Sequence, residues 1–115
     1  MDKIRELTEK IKKFRDDRDW LQFHNHKDMA LSLVLEAAEV LEHFQWKFPD
    51  EIEQYVLEQK DELGDELADV AMFLFELADN LGVDLPVAIE RKLEKNAKKY
   101  PIEKSRGKHT KYTRL

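Results

Sequence analysis

Two stretches of this chain, Leu31 to Phe44 and Leu63 to Leu81, are apolar around nearly the whole circumference of a helix. Each nevertheless carries two acids three residues apart: Glu36-Ala-Ala-Glu39 in the first and Glu66-Leu-Ala-Asp69 in the second. On a helix, i, i+3 spacing places both side chains on one face, about one turn apart. Neither stretch supplies a neutralising partner, since no Lys or Arg occurs from Asp28 through Trp46 or from Asp61 through Glu90. Bare carboxylates are costly to bury on apolar helices. A chain built this way must fold so that something balances those acids, and a divalent cation is the simplest answer.

The spacing of apolar residues predicts helices throughout. Ile4, Leu7, Ile11 and Phe14 define a first helix over 2–16, and the segment from Arg18 to His26 breaks the pattern as a connecting loop. A second helix is expected over 28–45. Pro49, followed by Asp50 and Glu51, starts a third whose pattern runs on to Leu81, too long for one ordinary helix, so a break is expected near Gln59 to Gly64. Gly82 suits a C-terminal cap, and Asp84 caps a last helix from Leu85 to Lys99 with Pro86 in its first turn. Tyr100-Pro101 ends it, and residues 102–115 read as extended or loose. With three glycines and three prolines there is little material for a turn-rich β fold. The expected architecture is an all-α antiparallel bundle of about four main helices, residues 1–101 forming the domain and 102–115 a basic tail. A single layer of four helices cannot cover helices that are apolar all round, so oligomerisation is expected to complete the fold.

The absence of cysteine excludes disulfides, thiolate metal sites and cysteine nucleophiles. The N-terminus shows no apolar run that reads as a signal peptide or membrane span, and the cytoplasm is the expected location. The net charge of −5 conceals an asymmetry: residues 1–90 carry 10 basic and 23 acidic side chains, residues 91–115 carry 10 and 2. An acidic centre with a basic tail suits a metal plus a polyanionic ligand, and equally suits a solvated tail on an acidic bundle. Interleaved aromatics are limited to Tyr100 and Tyr112, which argues against a stable nucleic-acid complex.

On the second helix Ser32, Glu36, Glu39 and His43 share a stripe; on the third, Glu62, Glu66, Asp69 and Phe73 do the same. Packed antiparallel with stripes facing, the two helices bring four carboxylates together. All-oxygen ligation favours Mg²⁺, with Mn²⁺ as a substitute, over zinc or copper. A di-iron carboxylate bundle wants Glu-x-x-His on two helices. Here His43 stands four residues after Glu39 and the third helix has no histidine. Mg²⁺ commonly shares its shell with substrate phosphates. No Gly-rich phosphate loop is present, but Lys92, Asn96 and Lys99 form a cationic and amide stripe on the last helix. Trp20, Phe23, Trp46 and Phe73 can stack a base, although aromatics at helical spacing more often fill a core.

In order and spacing, the two acidic pairs resemble the ExxE and ExxD motifs of the MazG-like all-α nucleotide pyrophosphohydrolases. The segments Arg18-Asp19-Trp20-Leu21-Gln22-Phe23-His24, Phe44-Gln45-Trp46-Lys47, Val83-Asp84-Leu85-Pro86, Lys92-Leu93-Glu94-Lys95-Asn96 and Lys99-Tyr100-Pro101 resemble the dCTP pyrophosphatase subgroup. So do Ser105-Arg106-Gly107 and Lys111-Tyr112-Thr113. The resemblance implies cleavage between the α- and β-phosphates of a nucleoside triphosphate, with Glu36, Glu39, Glu66 and Asp69 as Mg²⁺ ligands. It further implies that His24, Trp46, Lys92 and Asn96 contact the nucleotide beside Trp20, and that the chain forms a dimer or tetramer. One glutamate, Glu39 or Glu36, would serve the attacking water. Two departures bear on base and sugar selectivity: Phe73 stands where the subgroup often has tyrosine, and Asn96-Ala97 where it often has Asn-Arg. The expected function is therefore Mg²⁺-dependent hydrolysis of a dNTP of the dCTP type to dNMP and pyrophosphate, as house-cleaning of the nucleotide pool. The contrasting expectation is a non-enzymatic helical oligomer whose acidic face binds metal or a basic partner.

Overall fold

A computed structural model describes residues 2–115, and the described residues are helical without a single strand. The order is α1 (Lys3–Asp17), a 3₁₀ turn (Leu21–Phe23), α2 (His26–Glu42), α3 (Pro49–Glu58), α4 (Lys60–Asn80), α5 (Leu85–Lys99), α6 (Ile102–Ser105) and a second 3₁₀ turn (Tyr112–Arg114). The chain divides into two compact units between Gly82 and Val83.

Local chemistry sets the boundaries in the first unit. Asp2 caps α1 by accepting from the Arg5 N–H at 2.8 Å, and Asn25 caps α2 by accepting from the Asp28 N–H at 2.8 Å. The expected break in the long third pattern falls at Gln59, which closes α3 and opens α4. At the far end of α4, Gly82 takes φ +71° and donates to the Asp79 carbonyl, the left-handed exit that glycine adopts without penalty. In the connector, which was expected to be irregular, Leu21–Phe23 instead forms one tight turn.

Helix α4 is the hub of this unit, packing against α1, α2 and α3. It runs antiparallel to α2. His24, just ahead of α2, meets Glu76 near the end of α4, while His43, just after α2, lies 3.7 Å from Glu66 nearer its start. Basic residues of α1 pair with acids in the second half of α4: Arg5 and Lys12 reach Asp79 at 3.0 and 3.2 Å, and Arg15 reaches Glu76 at 3.4 Å. The pair with Arg5 and Lys12 holds the Asp79 carboxyl below its ordinary range despite the opposing effect of burial.

The apolar interior of the described residues is small, with Met29, Leu63 and Ala78 buried. Leu31, Val34, Leu35 and Leu41 of α2 and Leu67 of α4 remain more than half exposed, so a single chain leaves much of both apolar helices facing outward.

In the second unit, Asp84 caps α5 by accepting from the Val87 N–H at 3.2 Å. Residues 102–115, which the sequence reads as extended or loose, contain α6 and a 3₁₀ turn. An edge-to-face contact between Tyr100 and Tyr112 at 5.9 Å and the Lys99 ammonium 4.8 Å from the Tyr112 ring centre give this segment partners that its charge-rich composition conceals.

Among the described residues Met29, 1% exposed, is the one large side chain enclosed completely. Met29→Ala should lower the unfolding free energy by about 2–4 kcal/mol, read as an earlier midpoint in chemical denaturation.

Candidate active site

The facing stripes of α2 and α4 do converge. Carboxylate oxygens of Glu36, Glu39 and Glu66 all lie within 4.8 Å of one another. Asp69, one turn further along α4, is half-buried and close enough to act on Glu36 through space but stands outside that trio. Among the described residues no Lys or Arg pairs with any of the four. The one basic group beside them is His43, with Nε2 3.7 Å from Glu66 Oε1.

The electrostatic consequence is direct. Burial pushes the Glu36 carboxyl above its ordinary pKa, and its contact with Glu39 and the charges of Glu39, Asp69 and Glu66 push it further. Glu66 is raised first by hydrogen bonding with Glu39 and then by burial, with His43 acting in the opposite direction. Glu36 Oε2 and Glu66 Oε2 are buried with no hydrogen-bond partner. Once ionised, these crowded and unsatisfied oxygens only accept, and they fit a hard divalent cation that takes oxygen ligands.

Beside the trio lies an open cleft of about 490 Å³ lined by Glu39, Glu42, His43, Tyr55 and Glu66. His43 Nδ1 hydrogen-bonds the Tyr55 hydroxyl, and the Lys47 ammonium sits 4.1 Å from the Tyr55 ring centre. The helical stripe already carries His43, whereas Tyr55 comes from α3 and has no such signal.

A second, mainly apolar cavity of about 110 Å³ opens further along α4. Phe14, Trp20, His24 and Phe73 line it. Trp20 meets Phe14 edge-to-face at 5.9 Å, and the Arg18 guanidinium lies 3.6 Å from the Phe14 ring centre. Asp19, with φ +56°, makes the sharp exit from α1 that precedes Trp20. Phe73 is seven residues after Glu66, a rise of about 10 Å, so cavity and carboxylates sit along one helix.

Trp20, His24 and Phe73 thus share one cavity. Phe23 does not line it and is 61% exposed. Trp46 is also outside it, 90% exposed on the turn after α2, where its backbone takes φ +68°, a costly conformation for a bulky side chain. Lys92, Asn96 and Lys99 lie on α5 in the second unit, with Asn96 half-buried and the two lysines exposed.

A family model described as MazG-like matches residues 31–115, a span that includes both acidic pairs. The chain belongs to the MazG-like family. Among curated relatives, dCTP pyrophosphatase 1 from Bos taurus is 41% identical over 105 residues, covering 89% of this chain and 62% of the relative. The protein of the same name from Homo sapiens is 38% identical over 104 residues, covering 89% and 61%. This chain therefore spans about three fifths of the length of the curated relatives it matches. A solved structure described as a pyrophosphatase from Archaeoglobus fulgidus superposes with a TM-score of 0.83 at 39% identity, covering 88% of this chain and 94% of that one. Among the described residues of this MazG-like chain, no helix is long and apolar enough to cross a membrane.

Because the Glu36 and Glu66 carboxyls are raised in the folded state, they add stability at acid pH and lose it as pH climbs through their raised values. In cation-free buffer, Glu36→Gln should melt higher than wild type, with the gap widening from about pH 4 to pH 7. Mg²⁺ at a hundredfold over its dissociation constant should stabilise wild type by about 2.7 kcal/mol and the variant by much less. Scanning fluorimetry with and without chelator reads both effects; equal Mg²⁺ responses would refute cation binding at this cluster.

Proposed function

We propose that this MazG-like protein is a divalent-metal-dependent nucleotide pyrophosphohydrolase that converts a dNTP, dCTP foremost, to dNMP and pyrophosphate and so cleans the nucleotide pool. The observation that carries the reading is the convergence of Glu36, Glu39 and Glu66 without any Lys or Arg to balance them, on the same helix as an aromatic cavity. The names of the bovine and human relatives, dCTP pyrophosphatase 1, and the description of the archaeal structure as a pyrophosphatase support it.

Glu36, Glu39, Glu66 and Asp69 hold Mg²⁺, for which Mn²⁺ substitutes; when bound, the ion neutralises phosphate charge and acidifies water. Glu39 is the exposed member of the trio and is suited to accept a proton from the attacking water, with Glu36 fixing its position. The water oxygen bonds to the α-phosphorus, the bond to the bridging oxygen breaks, and pyrophosphate departs with that oxygen. Base and sugar lie against Trp20, His24 and Phe73. The family resemblance and the cationic stripe of α5 assign phosphate contacts to Lys92, Asn96 and Lys99, and the resemblance assigns a stacking surface to Trp46. Stacking tolerates any base and Phe73 offers no hydroxyl, so dCTP is preferred while other dNTPs are cleaved measurably.

The exposed apolar faces of α2 and α4 support a homodimer or homotetramer, in which the turn carrying Trp46 is available to a neighbouring copy. The cytoplasm, where nucleotides are held, is the proposed location. Neither a membrane nor a stable nucleic-acid complex is a proposed partner.

Pyrophosphate release from a panel of dNTPs tests the reading. Glu39→Gln should cut turnover by about two to four orders of magnitude while leaving the helical content intact. In ¹⁸O-labelled water the label should enter the monophosphate; label only in pyrophosphate or free phosphate would refute attack at the α-phosphorus. Light scattering at micromolar concentration should return at least a dimer.

A further inference from the structure

Glu76 is a second kind of acid on α4. It is only 3% exposed, and one of its oxygens gathers three nitrogens: Arg15 Nη1 at 3.4 Å, Asn80 Nδ2 at 3.2 Å and His24 Nδ1 at 2.7 Å. Arg15 is itself buried, and its Nε donates to Asp16 at 2.8 Å. Neither Glu76 nor Arg15 is needed for the proposed hydrolysis, yet both line the aromatic cavity together with His24.

We infer that Glu76 is a positioning residue that sets the base preference of this cavity by holding His24 as the tautomer protonated at Nδ1. Arg15 Nη1 and Asn80 Nδ2 both donate to the same Glu76 oxygen that faces His24, which makes that oxygen an acceptor towards His24 as well. At 2.7 Å the Nδ1 atom must then carry a proton, because two lone pairs facing each other at that distance in a buried site repel. With Nδ1–H committed to Glu76, a neutral imidazole keeps Nε2 as a lone-pair acceptor. Nε2 has no protein partner among the described residues. The remaining lining is largely apolar and aromatic, which stacks bases without telling them apart. A single acceptor in such a lining selects for a base edge that presents N–H. An exocyclic amine, as on cytosine, satisfies it; the carbonyl at the same position of uracil leaves two acceptors opposed. The Glu76–His24 arrangement stands on geometry alone, whereas its effect on base choice rests on the nucleotide reading of the cavity.

Two measurements on the full-length protein separate these parts. A long-range ¹H–¹⁵N spectrum of the histidine rings, with His24 assigned by its loss in His24→Ala, should show protonation at Nδ1 only in wild type and a mixed or reversed tautomer in Glu76→Gln. The ratio of kcat/KM for dCTP over dUTP should fall about tenfold in Glu76→Gln, which keeps the shape but not the charge. Should that variant not fold, Arg15→Leu combined with Glu76→Leu removes both buried charges together and is expected to lose the same preference. An Nε2–H tautomer or an imidazolium at His24 in wild type would overturn the inference, as would an unchanged dCTP/dUTP ratio in a folded variant. Absence of pyrophosphate release from every nucleotide by wild type would instead overturn the nucleotide reading and, with it, the role in base choice, while the ring spectrum still decides whether Glu76 sets the tautomer.

Discussion

Negative charge brought together between two apolar helices, with no Lys or Arg among the described residues to balance it, is the condition to which the rest of this fold answers. Glu36, Glu39 and Glu66 crowd within 4.8 Å, two of their oxygens are buried and unpartnered, and two carboxyls are driven toward protonation. A core optimised for stability would place leucines there or bring lysines across. Keeping the acids stores an unfavourable term in the folded state that a divalent cation would relieve on binding, which would link fold stability to metal occupancy. Such a cost is typical of a site preserved for chemistry rather than for packing.

Along α4 the acids divide into two classes according to what faces them. Glu66 and Asp69 look toward α2, which carries acids of its own, and stay uncompensated. Glu76 and Asp79, ten residues and nearly three turns further on, meet Arg15, Arg5 and Lys12 of α1 and are neutralised. One helix thereby presents an uncompensated end and a neutralised end. His24 stands on the neutralised end, tied to a compensated acid, in a cavity whose aromatic walls belong to α1, α4 and the connector.

Much of this is legible in the sequence, and the reasons for the gaps are physical. Helical periodicity places the acidic pairs on facing stripes and locates the break at Gln59, because both are local properties of a 3.6-residue repeat. The same stripe continues from Phe73 to Glu76, so Glu76 is visible in the register, but its partners are not: Arg15 lies 61 residues away and His24 lies 52. The cation-free window from Asp61 to Glu90 is true of the sequence and, for Glu76 and Asp79, misleading about the fold, since neutralisation arrives from α1. Tyr55 escapes notice because its role beside His43 depends on how α3 packs. Residues 102–115 read as loose because two tyrosines amid many charges carry no periodic signal, yet Tyr112 packs on Tyr100. Trp46, grouped with the base-stacking aromatics by type, stands apart from Trp20 and Phe73 because it follows the end of α2 opposite to His24.

The uninterrupted run of α4 from Lys60 to Asn80 makes the helix a measuring rod. Carboxylates and aromatic cavity are attached to the same rigid axis, at a spacing fixed by backbone hydrogen bonds rather than by flexible loops. Changes to the register of that rod act on both functions at once: one residue inserted between Asp69 and Phe73 would advance everything beyond it by about 1.5 Å and turn it by about 100°. Side chains at either end can be exchanged without moving the other end, whereas a longer segment between them would not preserve their spacing, so on the proposed reading the distance from metal site to base cavity would be the least adjustable dimension of this unit.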